Sequence, residues 1–507
     1  MSAGSEAVVV VGAGAVGVNI ALFLSRLGFE VVLMDHAASI LDGATRACFI
    51  NHGDGFEYYK PHHHRTGEYC IDGALTKALI HPIGAFATGV CDAARPIRFL
   101  VSNASVESGE LTLRRFFANA EWMRAHFARQ FDAIRAARGW SDAETERRLL
   151  RNPQSFARPL VPAEYSDIRG VIGGWAGSSF GINMPQYYAF MTAALLESSV
   201  VQELGNEPLR IEKTGRHIRV QTAGGTISAR AVLLVASHHI PLLASRIAGA
   251  GVRPPMPGTY YLNAMTFLRL PPTGDAALSE RVSRINFTLQ QEHGAMFACI
   301  VPPSSDAEGF AAIYQPSSHG SQLRQHVFDA AAPAPPPEEW NELIRDGLPN
   351  DGETVRSIFQ RVCEIYPFLR DYAEISHTIC RPVFNVATRD SAQGTDRRVR
   401  EIAGGSTSLV DDGSITAWAA PKWTNAELVA LMAADHVSRQ ITGRPLPAAG
   451  SSQFGPASLD VAEIARVLDF THVRMRFEDA AWYARTSRIP ERIIDRSLPQ
   501  FEGAAPR

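Results

Sequence analysis

The chain has 507 residues, 46% hydrophobic and 20% charged, with a formal net charge of −3. That length exceeds one core and predicts two closely packed domains, while scattered basic residues exclude the footprint of a nucleic-acid or anionic-membrane binder. No run reaches the roughly 18 uninterrupted apolar residues of a membrane span, and the six cysteines lack CxxC spacing, so they read as reduced thiols of a cytoplasmic protein.

Val8 to Val11 form an apolar run that enters Gly12-Ala13-Gly14-Ala15-Val16-Gly17. No basic segment precedes the run, which therefore reads as a core strand and not a signal peptide. Ala21, Leu22, Leu24 and Leu27 recur at helical spacing, Gly28 is placed to end the helix, and a second apolar run closes on Asp35. In such a βαβ unit Gly12 allows the tight turn, Gly14 has no Cβ to hold a pyrophosphate away, and Gly17 lets the helix pack close to the sheet. The phosphates then meet free N–H groups at the helix start. Asp35, eighteen residues past Gly17, accepts both ribose hydroxyls and disfavours a 2′-phosphate. The pattern predicts a site for FAD or NAD; the bland alternative is an ordinary strand-turn-helix connection.

Next comes a glycine-rich segment, Gly43 to Gly55, that carries Arg46 and His52. Residues 110–150 predict charged amphipathic helices with a solvated face, and Val171 to Asn183 leads into a helix from Pro185 to about Glu197. Leu209 to Glu212, Ile218 to Thr222 and Thr226 to Ala229 alternate with period two and predict an antiparallel meander. It feeds into Ala231 to Ser237, an apolar run suited to a buried parallel strand, and such a meander favours FAD over NAD. Strand-like runs from about 255 to 320 predict a second, antiparallel sheet. Ala330 to Pro337 reads as a loop, 353–370 as helical, and Leu459 to Leu498 as helices covering the core.

Three separated pieces carry a family likeness. They are the motif through Gly12, Gly14, Gly17, Gly28, Asp35 and Gly43-Ala44-Thr45; the stretch Ile50-Asn51-His52-Gly53 with Tyr58-Tyr59; and Arg381-Pro382 followed by Pro421-Lys422-Trp423-Thr424. Together they resemble the D-amino-acid-oxidase-like superfamily of FAD-dependent oxidoreductases, which includes FAD-linked glycerol-3-phosphate and 2-hydroxyglutarate dehydrogenases. Two departures mean that the likeness implies a fold and not a substrate: Ala420-Pro421 replace paired glycines, and Val386 to Asp390 replace an Asp-Gly-x-Pro segment.

The resemblance implies an α/β fold with a Rossmann-type FAD-binding domain of the glutathione-reductase-like kind, an antiparallel β-sheet substrate domain and a helical C-terminal tail. The expected division is FAD-binding at 1–95, 171–252 and 376–445, a helical insertion at 96–170, the substrate domain at 253–375 and the tail at 446–507. FAD is expected against Gly12, Ala13, Gly14, Ala15, Val16, Gly17, Asp35, His36, Gly43, Ala44, Thr45, Arg46, Ala47, Arg210, Ile211, Ala236, Ser237, Pro421, Lys422, Trp423 and Thr424.

The turn Lys422-Trp423-Thr424, ahead of a helix from Ala426 to Val437, would aim backbone donors and a positive dipole end at the flavin N1–C2=O edge. Lys422 either adds a charge there or lies on the surface. His52 is the leading catalytic candidate, since an imidazole titrating near neutrality can remove an amine or hydroxyl proton; the alternative is a hydrogen-bonded loop histidine. Arg381 resembles the family arginine that fixes a substrate carboxylate or phosphate, and Arg46 suits flavin phosphate or substrate, with structural ion pairing the alternative for both. Cys48 is a flavin-linking or redox thiol, or a buried small residue. Tyr58, Tyr59, Trp175, Phe180, Tyr187 and Tyr188 wall a pocket or pack in the core. No metal is expected, because neighbouring histidines in His62-His63-His64 and His238-His239 cannot converge on one ion.

The expected activity is FAD-dependent oxidation of a C–N bond in an amine or amino acid-like small molecule by hydride transfer, with oxygen or another acceptor as electron partner. Oxidation of a 2-hydroxy acid or polyol phosphate, a flavin monooxygenase, and a nucleotide-binding protein without redox turnover are the alternatives.

Overall fold

Val8 to Val11 have no polar face, so a strand built from them has to be covered on both sides. β1 (Ala7–Val11) is fully buried inside a nine-stranded sheet. The computed structural model describes residues 7–43, 64–81, 87–88, 97–103, 112–149, 158–177, 181–249, 251–252, 258–290, 296–301, 303–314, 322–328, 338–386, 405–420, 423–446, 468, 470 and 472–486. The described helices are α1 (Ala15–Arg26), α2 (His64–Ile80), α3 (Leu113–Arg138), α4 (Asp142–Leu149), α5 (Met184–Leu196), α6 (Ile240–Ser245), α7 (Ala276–Ser283), α8 (Glu338–Asp346), α9 (Glu353–Ile365), α10 (Leu369–Tyr372), α11 (Ala426–Thr442) and α12 (Phe477–Thr486).

β1 pairs in parallel with β2 (Val31–Asp35) and β11 (Gly225–Leu234), and β2 with β8 (Val201–Leu204). The meander is present: β11 runs antiparallel to β10 (His217–Thr222), β10 to β9 (Arg210–Thr214), and β12 (Ile247–Gly249) joins β9. β11 is one strand whose residues 225–229 pair with β10 and whose residues 229 and 231–234 pair with β1, the register shifting at Arg230. Residues 232–234 pair with β20 (Ile415–Ala419), which takes the flank that β10 leaves and carries β19 (Gly405–Ser408). The expected meander strand and buried parallel strand are therefore two halves of one element.

Strand alternation distributes the side chains of the sheet. Val8, Val10 and Leu33 share an apolar layer with α1, α2, α5 and α11, while Val9, Val11 and Met34 face Ile211, Ile218 and Trp340. α1 ends as its sequence predicts, with Gly28 at φ +86° and its amide bonded to Ser25 O. The helices expected over 110–150 bury a stripe as well as exposing a charged face: Phe116, Met123, Phe127, Phe131 and Ile134 of α3 are buried.

The second sheet runs β17 (Gln322–Phe328), β13 (Gly258–Leu270), β16 (Gly309–Tyr314), β15 (Met296–Val301), β14 (Asn286–Gln290), β4 (Ile97–Ser102), β6 (Val171–Gly177) and β5 (Arg158–Pro159). β18 (Glu374–Val386) lies antiparallel to β13 along its whole length, and β3 (Ala87–Thr88) pairs with β7 (Gly181–Ile182). The second sheet draws strands from more than one of the expected divisions. Residues 96–170 are not purely a helical insertion, because β4 lies inside the second sheet, and β6, expected in the FAD-binding part, pairs with β4 there. Both strands are largely buried and mostly apolar, with Arg98 the charged exception on β4, and Gly174 permits their packing: a Cβ there would sit 2.8 Å from Leu160 and 2.9 Å from Leu100. No described helix is long and apolar enough to cross a membrane.

Candidate functional site

The chain leaves β1 at Gly12, where φ is +115° and a Cβ would lie 2.7 Å from Ala236 N. Gly12 N donates to Met34 O at 2.8 Å and Val235 N to Val11 O at 2.7 Å. The carboxyl ends of β1, β2 and β11 thus meet at one place, the edge where open α/β sheets bind ligands. A Cβ on Gly17 would overlap the Gly12 carbonyl oxygen, so the close approach is between helix and turn. Gly14 is different. A Cβ there meets nothing within 4 Å among the described residues, and Gly14 caps α1 without a side-chain bond. The first-turn amides of Ala15, Val16 and Gly17 therefore have no intrahelical acceptor. The segment after β2 folds back onto this turn through Leu41 N, which donates to Ala13 O at 2.8 Å, and Gly43 follows with no described residue within 4 Å of a Cβ placed on it.

Asp35 closes the other side. Its Oδ2 accepts from Ala13 N at 2.5 Å and its Oδ1 from Ala37 N at 2.9 Å, with His36 Nδ1 at 3.1 Å. Burial alone pushes the Asp35 carboxyl up, but the bonds from His36, Ala37 and Ala13 outweigh it and hold the group below its ordinary value. The hydrogen bond to Asp35 raises His36 against its partial burial. The His36 ring lies 4.7 Å from that of His239, which burial, and then repulsion from His36, push down to about 4. His239 ends the turn Ser237–His239, in which Ser237 has a left-handed φ of +49°.

The structure brings Gly12 to Gly17, Asp35, His36, Gly43, Ala236 and Ser237 together. It does not bring Arg210 and Ile211 to them: β9 is separated from β1 by β10 and β11, Ile211 is buried in the apolar layer, and the exposed Arg210 faces Glu212. Arg381 stands opposite Asn263 on β18, which runs beside the turn Ser237–His239. Ala44, Thr45, Arg46, Ala47, Cys48, His52, Tyr58, Tyr59, Phe180, Pro421 and Lys422 lie outside the described residues. Trp175, Tyr187 and Tyr188 pack in the core. Among the described residues no group of three His, Cys, Asp or Glu could hold a metal.

Trp423 and Thr424 lie buried in a short turn that ends at Asn425 and opens α11. Beside it is a cluster that sequence reasoning missed. The Lys77 ammonium donates to Glu427 Oε2; Glu427 Oε1 accepts from Tyr187 OH at 3.3 Å and lies 3.3 Å from His81 Nε2, which is 3.0 Å from Asn19 Oδ1. Burial pushes the Glu427 carboxyl up, but the Lys77 charge and the hydrogen bonds hold it down at about 2, while burial draws the Lys77 ammonium below its ordinary value against the pull of Glu427. The one signal was a polar residue, Asn19, inside the apolar helical pattern of α1.

An uncapped helix N-terminus for a pyrophosphate, open space at Gly14 and a carboxylate at the ribose position fit the ADP half of FAD. Comparison with curated proteins finds no match. Among solved structures the chain is similar to L-proline dehydrogenase from P. horikoshii, with a TM-score of 0.55 and 15% identity over 91% of this chain and 98% of that one. It is similar to NikD, an unusual amino acid oxidase essential for nikkomycin biosynthesis, at a TM-score of 0.52 and 14% identity over 90% and 97%. L-amino acid deaminase from Proteus vulgaris gives 0.51 and 13% over 93% and 98%. At these identities the likeness is one of fold. The family described as FAD dependent oxidoreductase (DAO) matches residues 7–385, most of the chain, and the protein belongs to that family.

Proposed function

We propose that the protein is an FAD-dependent oxidoreductase that oxidises a C–N bond of an amine or amino acid-like small molecule, working in the cytoplasm with a FAD domain of the glutathione-reductase-like kind. The observation that carries this reading is the convergence of the open Gly14 turn, the uncapped start of α1 and the Asp35 carboxylate, with the Arg381-bearing strand alongside. The direction towards C–N comes from fold relatives whose names specify amino acid substrates.

Bound FAD supplies the hydride acceptor. The amides of Ala15 to Gly17 hold the pyrophosphate, and Asp35 accepts the ribose hydroxyls. The first turn of α11, with its positive end and backbone donors, would hold the ring end of the cofactor. Arg381 would hold a substrate carboxylate and His52 would accept the amine proton, with the bound cofactor supplying the two-electron acceptor for conversion of the amine to an imine. Oxygen or another small acceptor would be the electron partner.

Anaerobic mixing of the purified yellow protein with amino acids, amines and hydroxy acids tests this. Bleaching by an amino acid or amine is expected; bleaching by hydroxy acids or polyol phosphates alone would move the chemistry to a C–O bond, and a protein that takes up no FAD would end the reading. His52→Ala should stay yellow and reduce more slowly, and normal reduction would remove His52 from the chemistry.

A further inference from the structure

Under the FAD reading the Asp35 carboxylate meets more donors than it has acceptor sites. Its Oδ2 accepts from Ala13 N at 2.5 Å, its Oδ1 accepts from Ala37 N at 2.9 Å, and His36 Nδ1 stands 3.1 Å from the same Oδ1. A carboxylate offers about four lone-pair sites, two on each oxygen. One site is therefore left on Oδ2 and none on Oδ1 while His36 is in place. Two ribose hydroxyls ask for one site on each oxygen, so the second hydroxyl and His36 Nδ1–H need the same one.

Of these donors His36 is the one able to withdraw. The amides of Ala13 and Ala37 belong to backbone that is tied elsewhere, by Leu41 N to Ala13 O at 2.8 Å, by Gly205 N to Ala37 O at 2.8 Å and by Asn206 N to Asp35 O at 2.9 Å. The His36 side chain is 55% exposed, against 14% for Asp35, so a change of rotamer carries its ring into water. Pairing with Asp35 favours the charged ring and raises His36 above its ordinary value against partial burial, and Glu207 after β8 and Asp42 after β2 add to that rise. Arg246, 3.0 Å from Glu207, faces the neighbouring His239. His239 itself, held down at about 4, stays neutral where His36 titrates.

We propose that the His36 imidazolium and the FAD ribose compete for Asp35 Oδ1, so that uptake of the cofactor expels His36 from the carboxylate and releases its proton to solvent. The inference rests on the FAD reading and adds to it a proton-linked competitor inside the nucleotide site. The protein without cofactor then holds more protons than the complex, and the form that holds more protons gains as pH falls. FAD is therefore bound more weakly on the acid side of the His36 titration and more tightly on the alkaline side.

The test titrates full-length apoprotein with FAD from about pH 6 to about pH 8.5, a range that brackets a histidine raised above its ordinary value. The wild-type dissociation constant should rise about threefold or more toward the acid end, the weight of half a pKa unit. Uptake of FAD in weakly buffered solution with a pH indicator should release protons. His36→Phe, which keeps a ring beside His239 and cannot titrate, and His36→Ala should both bind FAD at the acid end as tightly as wild type does at the alkaline end, and release none. A wild-type constant that is flat, or that tightens toward acid, overturns the proposal, because the imidazolium and the ribose would then share the carboxylate. A pH dependence that persists in both variants overturns it equally. Should neither variant fold, proton exchange by the wild type decides, and proton uptake or none at all overturns it. Wild-type apoprotein that takes up no FAD at any pH would instead defeat the cofactor reading and this inference with it.

Discussion

The Asp35 carboxylate accepts the amide of Ala13 at 2.5 Å across 22 residues of sequence. The acid that ends β2 therefore also fixes the glycine turn that follows β1, so under the proposed function one group serves both turn geometry and ribose binding. Asparagine at this position keeps an oxygen acceptor and loses the charge. Hydrogen bonds to charged groups contribute about 1.5–3 kcal/mol, so Asp35→Asn should weaken FAD binding by the apoprotein about tenfold or more. Fluorescence titration reads this, and an unchanged constant would take Asp35 out of the ribose contact.

Gly14 and Gly17 separate cofactor space from folding space. Gly14→Val projects into open space and should leave the unfolding free energy of the apoprotein close to wild type while abolishing flavin retention. Gly17→Val drives its side chain into the Gly12 carbonyl and should lose about 1–3 kcal/mol or more in urea unfolding. Equal destabilisation by the two changes would contradict this division.

His36 and His239 shift in opposite directions, and the faces around them carry Asp35, Asp42, Glu207 and Arg246. His239 has a folded value of about 4 against an ordinary 6.5, so the unfolded chain binds its proton first. Stability should fall between pH 6.5 and 4 by about 3 kcal/mol from this group, at 1.36 kcal/mol per unit. His36 is raised, so its contribution is complete below pH 6.5 and lost only as pH rises through its folded value; its exposure keeps that contribution small. Asp35 is held below 3.8 and stays ionised over most of this range. His239→Phe should flatten the acid slope in urea unfolding, and a persisting slope would place the sensitivity elsewhere.

Gly73→Ala sets helix propensity against packing. Alanine favours a helix by about 1 kcal/mol over glycine, yet here its methyl group would push Asn425 and Thr424 away from α2. A lower melting temperature and weaker FAD binding are the expected result; a more stable protein with full affinity would show that the turn yields without consequence.

Much of the nucleotide half was legible in the sequence because its constraints are local. The glycine spacing, the cap at Gly28, the acid at Asp35 and the alternation over 209–229 each report a backbone requirement within a few residues. The Lys77–Glu427 pair spans 350 residues, and no pattern on α2 or α11 alone announces it. β4 escaped notice for the same reason: Ile97 to Ser102 becomes a sheet strand only because β6 and β14 arrive from elsewhere. Ile211 was expected at the cofactor from the family likeness, but the two-residue period of β9 turns it into the core.

β11 answers to the meander over its first half and to β1 and β20 over its second. A slip of one residue at either end would be felt at the other, so the outer hairpin and the turn at Gly12 share a single cooperative opening. Amide exchange should therefore be slow and uniform along the strand, and a disturbance that frays the hairpin should reach Gly12 through Ala236.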